Sequence, residues 1–128
     1  MLAELARRDL VPAIWLPDPR VRAERERARW RLRLVRHRSS LKQRVHAVLL
    51  THGKPCPVSD LFGVRGRQLL ARLGLPEPWQ ATIGASLRLI DELEREITDS
   101  ERELRRLGAD HRYVQLLLTV PGIGWVLA

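Results

Sequence analysis

The chain has 128 residues, 45% of them hydrophobic, enough for one modest folded domain. Lysine and arginine number 23 against 15 acidic residues, giving a formal net charge of +8 and a pI near 11.2. The expected partner is therefore anionic, nucleic acid first and an acidic membrane surface second. Cys56 is the only cysteine, which excludes an intramolecular disulfide and a CxxC metal site.

Met1 to Asp9 (MLAELARRD) predicts a helix with Leu2, Leu5 and Ala6 on one face and no capping residue before it. This stretch has neither the long apolar core nor the small-residue cleavage site of a signal peptide. The short apolar run Leu10 to Leu16, closed by Pro17-Asp18-Pro19, predicts a strand. A lone strand needs a sheet, so the two pieces together are expected to be the last unit of an α/β domain.

Asp18 and Pro19 suit the N-cap and first position of a long helix. It is expected to run over Arg20 to Leu50 and to end at Gly53, with Lys54-Pro55-Cys56-Pro57 preventing its continuation. Eleven of those residues are Arg or Lys, opposed only by Glu24 and Glu26, a net +9 that carries the whole basic excess of the chain. Its apolar stripe is narrow: Val21, Ala28, Leu32 and Val35 on one line, then Leu34, Leu41, Val45 and Val48 on a shifted one. A helix of this size is about 45 Å long, too long for a small core and suited to a coiled coil or an arm.

Val58 to Leu75 is expected to be a helical elbow. Ser59 or Asp60 would cap a brief helix, Gly63 and Gly66 would interrupt it, and Arg67 to Leu73 would form another, stopped by Gly74 and Pro76. A second long helix is predicted from Trp79 to Leu107. Ile83, Ile90, Ile97 and Leu104 recur every seven residues, with Ser86, Leu93, Ser100 and Leu107 at the other seam position. From Pro78 to Leu107 seven acids face five bases, so this helix is opposite in sign to the first. An antiparallel hairpin is the simplest pairing, with intermolecular pairing as its rival. Asp110 would cap a last short helix, His111 to Thr119, before Val120-Pro121-Gly122-Ile123-Gly124 and the start of another helix.

The C-terminal LLLTVPGIGWVLA has the form of a helix-hairpin-helix, in which Gly122 and Gly124 would let the turn approach a phosphate and its amides donate to the oxygens. On the basic helix Arg25, Arg29, Arg33, Arg36, Arg38, Lys42 and Arg44 are the candidate backbone contacts. Some arginines are expected to pair with the acidic helix instead. Trp30, among arginines, is a candidate stacking residue, with packing across the coiled coil as the alternative, while Trp15 and Trp79 are expected to pack. His37, His46, His52 and His111 are too scattered for a zinc site. No Ser–His–Asp arrangement or GxxxxGK loop is present, and no catalytic residue is assigned.

The order LAxL, short strand with Pro, Pro-Asp, and an Arg-rich helix ending in LLTHG, followed by a coiled coil and PGIG, resembles the DEDD transposases of the insertion-sequence one-ten group, the bridge-RNA-guided recombinases. The resemblance implies residues 1–18 as the end of an RNase-H-like domain, 19–108 as the coiled-coil connector and 109–128 as the start of the C-terminal transposase domain. It also implies magnesium held by four acidic ligands and a serine nucleophile, both outside this stretch, so no cofactor is expected here. The expectation is a mainly α, catalytically incomplete piece of a transposase. It would bind DNA and a guide RNA, oligomerise with copies of itself through the coiled coil, and lie in the cytoplasm on the nucleoid. No apolar run reaches bilayer length. The alternative is an independent coiled-coil interaction module with no nucleic-acid role.

Overall fold

The computed structural model describes residues 2–8, 16–125 and 127; among these there are five helices and no strand. α1 is Leu2–Arg7, α2 Pro19–Thr51, α3 Val64–Arg72, α4 Trp79–Gly108 and α5 Arg112–Leu117. The strand expected over Leu10 to Leu16, with Asp9 and Trp15, lies outside the described residues except for Leu16, which is exposed and in no regular element.

The ends of α2 follow from their local sequence. The Asp18 carboxylate accepts from the Val21 N–H at 2.9 Å, and Pro19 occupies the first turn, where its missing N–H costs nothing. At the other end the Gly53 N–H donates to the Leu50 carbonyl and the Lys54 N–H to the Leu49 carbonyl at 2.9 Å, with Gly53 at φ +60°. This double closure satisfies carbonyls the helix would leave bare. The helix so delimited is about 50 Å long.

α2 and α4 pack against each other as an antiparallel hairpin within one chain. Arg27 meets Glu103, Arg31 meets Glu101, and Arg38 and Lys42 both meet Glu94. That register puts Val48 level with Ile83, Leu41 with Ile90 and Leu34 with Ile97. The Ile heptad of α4 is the seam: Ile83, Ile90 and Ile97 are buried, and so is Ser86, whose hydroxyl donates to the Thr82 carbonyl at 2.8 Å. On α2 the buried line is Leu34, Val45, Val48 and Leu49. The other expected line is used only in part: Val21 and Val35 are half-buried, Ala28 and Leu32 are exposed, and Arg27, Arg31 and Arg38 flank or enter the seam. Long side chains can bury their methylene stems there while the charge reaches a partner at the edge.

The main core sits at the elbow, where Val45, Val48 and Leu49 of α2 meet Leu61, Leu70, Leu75 and Ile83. α3 begins earlier than expected, at Val64, and runs through Gly66 instead of breaking there. The reason is a close approach: a Cβ on Gly66 would lie 2.1 Å from the Leu61 carbonyl oxygen. Ser59 and Asp60 start no helix. The Asp60 side chain instead accepts from the Phe62 N–H at 3.0 Å, folding the loop onto α3. Arg67 then fastens the elbow, donating from Nε to the Phe62 carbonyl at 2.8 Å and from both terminal nitrogens to Asp91 on α4. The hydrogen bond from Arg67 holds the Asp91 carboxyl below its ordinary range, and the same bond raises Arg67.

At the far end of the hairpin Gly108 is the last residue of α4. Its bare Cα makes room for Val114 and Trp125, which a Cβ would meet at 3.3 and 3.6 Å. α5 is shorter than expected and is preceded by His111, not Asp110, with no side-chain cap.

Candidate nucleic-acid interface

α2 distributes its eleven basic residues by helical geometry. At 100° per residue, the seam through Leu34, Leu41, Val45 and Val48 faces α4. Arg27, Arg31, Arg38 and Lys42 flank or enter that seam and are matched by Glu103, Glu101 and Glu94. The Arg31–Glu101 contact is the tightest, two nitrogens on one carboxylate oxygen at 3.1 and 2.6 Å with the side chains 19% and 28% exposed. Lys42 also sits over the Phe62 ring at 4.8 Å. Arg20 pairs with Glu24 at 3.2 Å.

Of the remainder, Arg22, Arg25, Arg29 and Arg36 lie on the far face, and Arg33 and Arg44 lie on its flank, Arg44 within about 40° of Val48. Arg22, Arg29 and Arg36 recur every seven residues, with Arg33 and Arg44 beside them. All five are exposed and make no ion pair among the described residues. Arg25 shares that face and is not free. From Arg22 to Arg44 the stripe extends about 33 Å along a straight helix, and Glu26 is its only acidic neighbour on α2. Folding therefore sorts charge: the inward guanidinium groups are neutralised by α4, and the outward ones project a positive field.

Of the seven basic candidates, Arg29, Arg33, Arg36 and Arg44 lie on this open stripe or its flank, with Arg25. Arg38 and Lys42 instead turn toward Glu94, at 3.8 and 3.6 Å. Arg22 was missed, although its seven-residue spacing from Arg29 and Arg36 was available as a signal. Trp30 is half exposed, at 49%, beside the stripe and not within it. Trp79 packs edge-on against His52 with ring centroids 4.8 Å apart.

Val120-Pro121-Gly122-Ile123 forms a tight turn in which the Ile123 N–H donates to the Val120 carbonyl at 3.1 Å and Gly122 has φ +88°. Proline followed by a positive-φ glycine is the signature of a type II turn. Both Gly122 and Gly124 are exposed. The described residues after Gly124 are in no helix; the Leu127 N–H closes a further turn onto the Gly124 carbonyl at 2.9 Å, and Val126 and Ala128 lie outside the described residues. Trp125 lines a cleft of about 200 Å³ with Glu24, Ala28 and Leu104, so the glycine turn sits near the end of the arm where the arginine stripe begins.

Asp91, Glu94, Glu101 and Glu103 each face a guanidinium or ammonium group, and no cluster of three or more His, Cys, Asp or Glu that could hold a metal ion occurs among the described residues. No described helix is long and apolar enough to cross a membrane. Compared with protein-family models, curated proteins and solved structures, the chain finds no match in any of the three.

Proposed function

We propose that this chain is a nucleic-acid-binding helical arm of a transposase of the DEDD insertion-sequence group, gripping phosphate backbone along the outer face of α2. The observation that carries this reading is the band of Arg22, Arg29 and Arg36 with Arg33 and Arg44 on its flank, which the acidic helix leaves unmatched while neutralising the arginines beneath it. Charge placed so regularly on one side is suited to a polyanion with repeating phosphates, and the planar guanidinium forks match phosphate oxygens. The type II turn at Gly122, near the head of the stripe, offers a further backbone contact. The proposed partners are DNA and a guide RNA, with self-association through the hairpin, in the cytoplasm on the nucleoid. In this reading strand chemistry and its magnesium belong to the family's acidic and serine residues, and no residue of α2 or of the Gly122 turn is given that role.

Fluorescence anisotropy with labelled duplex DNA and RNA tests the reading. Affinity is expected to fall steeply with salt, by roughly 0.9 in log–log slope for each phosphate neutralised. Absence of binding at low salt would replace the proposal with the alternative of an interaction module that has no nucleic-acid role.

A further inference from the structure

The two halves of the hairpin are closed by different forces. From the elbow to the level of Leu34 and Ile97 the seam is mainly apolar, with Val48, Val45, Leu34, Ile83, Ile90 and Ile97 all buried, Ser86 buried among them, and Arg38 and Lys42 meeting Glu94 along its edge. Beyond that level it changes character. Arg31 faces the level of Ser100, then Arg27 that of Leu104, then Glu24 that of Leu107, and none of these six is buried. What joins the helices there is the Arg31–Glu101 and Arg27–Glu103 ion pairs, the second with side chains 41% and 46% exposed. The cleft against Ala28, Leu104 and Trp125 leaves the same region incompletely filled.

We infer that the arm has a built-in hinge near Leu34 and Ile97, with an elbow half that stays closed and a distal half that opens and closes according to the ionic environment. Apolar burial responds little to ordinary salt, whereas ion pairs are screened by it, the exposed Arg27–Glu103 pair more than the partly buried Arg31–Glu101 pair. Polyanions would act in the same direction by competing for Arg27 and Arg31. Opening separates Glu24 and Ala28 from Leu104 and Trp125, and so uncovers the apolar lining of the cleft. The inference concerns the free arm and stands whether or not α2 binds nucleic acid.

Spin-label distance measurements on the full chain test it, with Cys56→Ser to remove the native thiol. One label pair, Ala23→Cys with Arg106→Cys, spans the distal half; a second, Gln43→Cys with Arg88→Cys, spans the elbow half. Between about 0.1 and 1 M salt the screening length falls from about 10 to about 3 Å. Over that range the distal distances are expected to broaden and lengthen while the elbow distances stay narrow. Adding Arg31→Leu and Ser100→Leu extends the apolar seam and is expected to remove the distal response, with the narrow elbow distance confirming a folded hairpin. A distal pair that stays narrow at high salt, an elbow pair that broadens equally, or a response that survives the double leucine change would each overturn the inference.

Discussion

Replacing glycine by alanine at two helical positions should move stability in opposite directions. In α3, a Cβ at Gly66 would stand 2.1, 2.3 and 2.5 Å from the Leu61 carbonyl oxygen, carbonyl carbon and Cα. All three atoms are backbone, so no rotamer change relieves the clash, and the Leu61 segment has to move. Leu61 is 3% exposed and belongs to the core with Val45, Val48, Leu49, Leu70, Leu75 and Ile83. Withdrawing a leucine from such a core costs about 2–5 kcal/mol, and the helix preference of alanine returns only about 1 kcal/mol. Gly66→Ala should therefore lose about 1–4 kcal/mol, a large share of the roughly 5–15 kcal/mol of a typical domain. In α4, a Cβ at Gly84 would meet only the end of the Arg88 side chain, at 3.7 Å, and Gly84→Ala should gain about 0.5–1 kcal/mol from propensity alone. Urea denaturation followed by circular dichroism measures both. A Gly66→Ala protein as stable as the parent would refute the close approach of loop and helix that defines the elbow.

The Arg22→Gln, Arg29→Gln, Arg36→Gln triple variant should lower the log–log salt slope of nucleic-acid binding by about 2–3 with the thermal midpoint little changed, since none of the three makes an ion pair among the described residues. Asp91→Asn removes a bidentate, partly exposed contact and should cost about 1 kcal/mol at neutral pH. Because Arg67 depresses the folded Asp91 pKa, its contribution is full above the unfolded value of about 3.9 and is lost as pH falls through the lower folded value. The deficit of the Asn variant against the parent should accordingly shrink in acid, as paired denaturation curves at neutral and acidic pH would show. Asp18→Ala deletes the N-cap acceptor for Val21 and should cost about 1 kcal/mol, read as faster amide exchange in the first turn of α2.

The long helices were legible because their signals are redundant. Asp18-Pro19 and Gly53 bracket α2, and a seven-residue isoleucine repeat marks the seam of α4. The buried face of α2 was harder to read. Leu32 and Leu34 compete as neighbouring apolar residues, and the seam beyond Leu34 is built from arginines, which a hydropathy pattern assigns to solvent. Only the acids of α4, at matching levels, show that Arg27 and Arg31 point inward. Gly66 misled for a related reason: within one segment a helical glycine reads as a breaker, and its use becomes visible only when Leu61 is laid across it. Similarly, Arg38 and Lys42 were separated from the outer stripe by a partner, Glu94, that lies more than fifty residues away in the chain.

The position of the elbow core also sets the order in which the hairpin can assemble. Its apolar layers join residues such as Val48 and Ile83 across a separation of 35 residues, whereas Arg27 reaches Glu103 across 76. Closing the longer loop costs more chain entropy, and the distal contacts give least in return until the elbow has formed. The arm is therefore expected to zip outward from α3. Truncating Val45 or Ile83 should slow folding, while removing the Arg27–Glu103 pair should leave the folding rate nearly unchanged and act on unfolding.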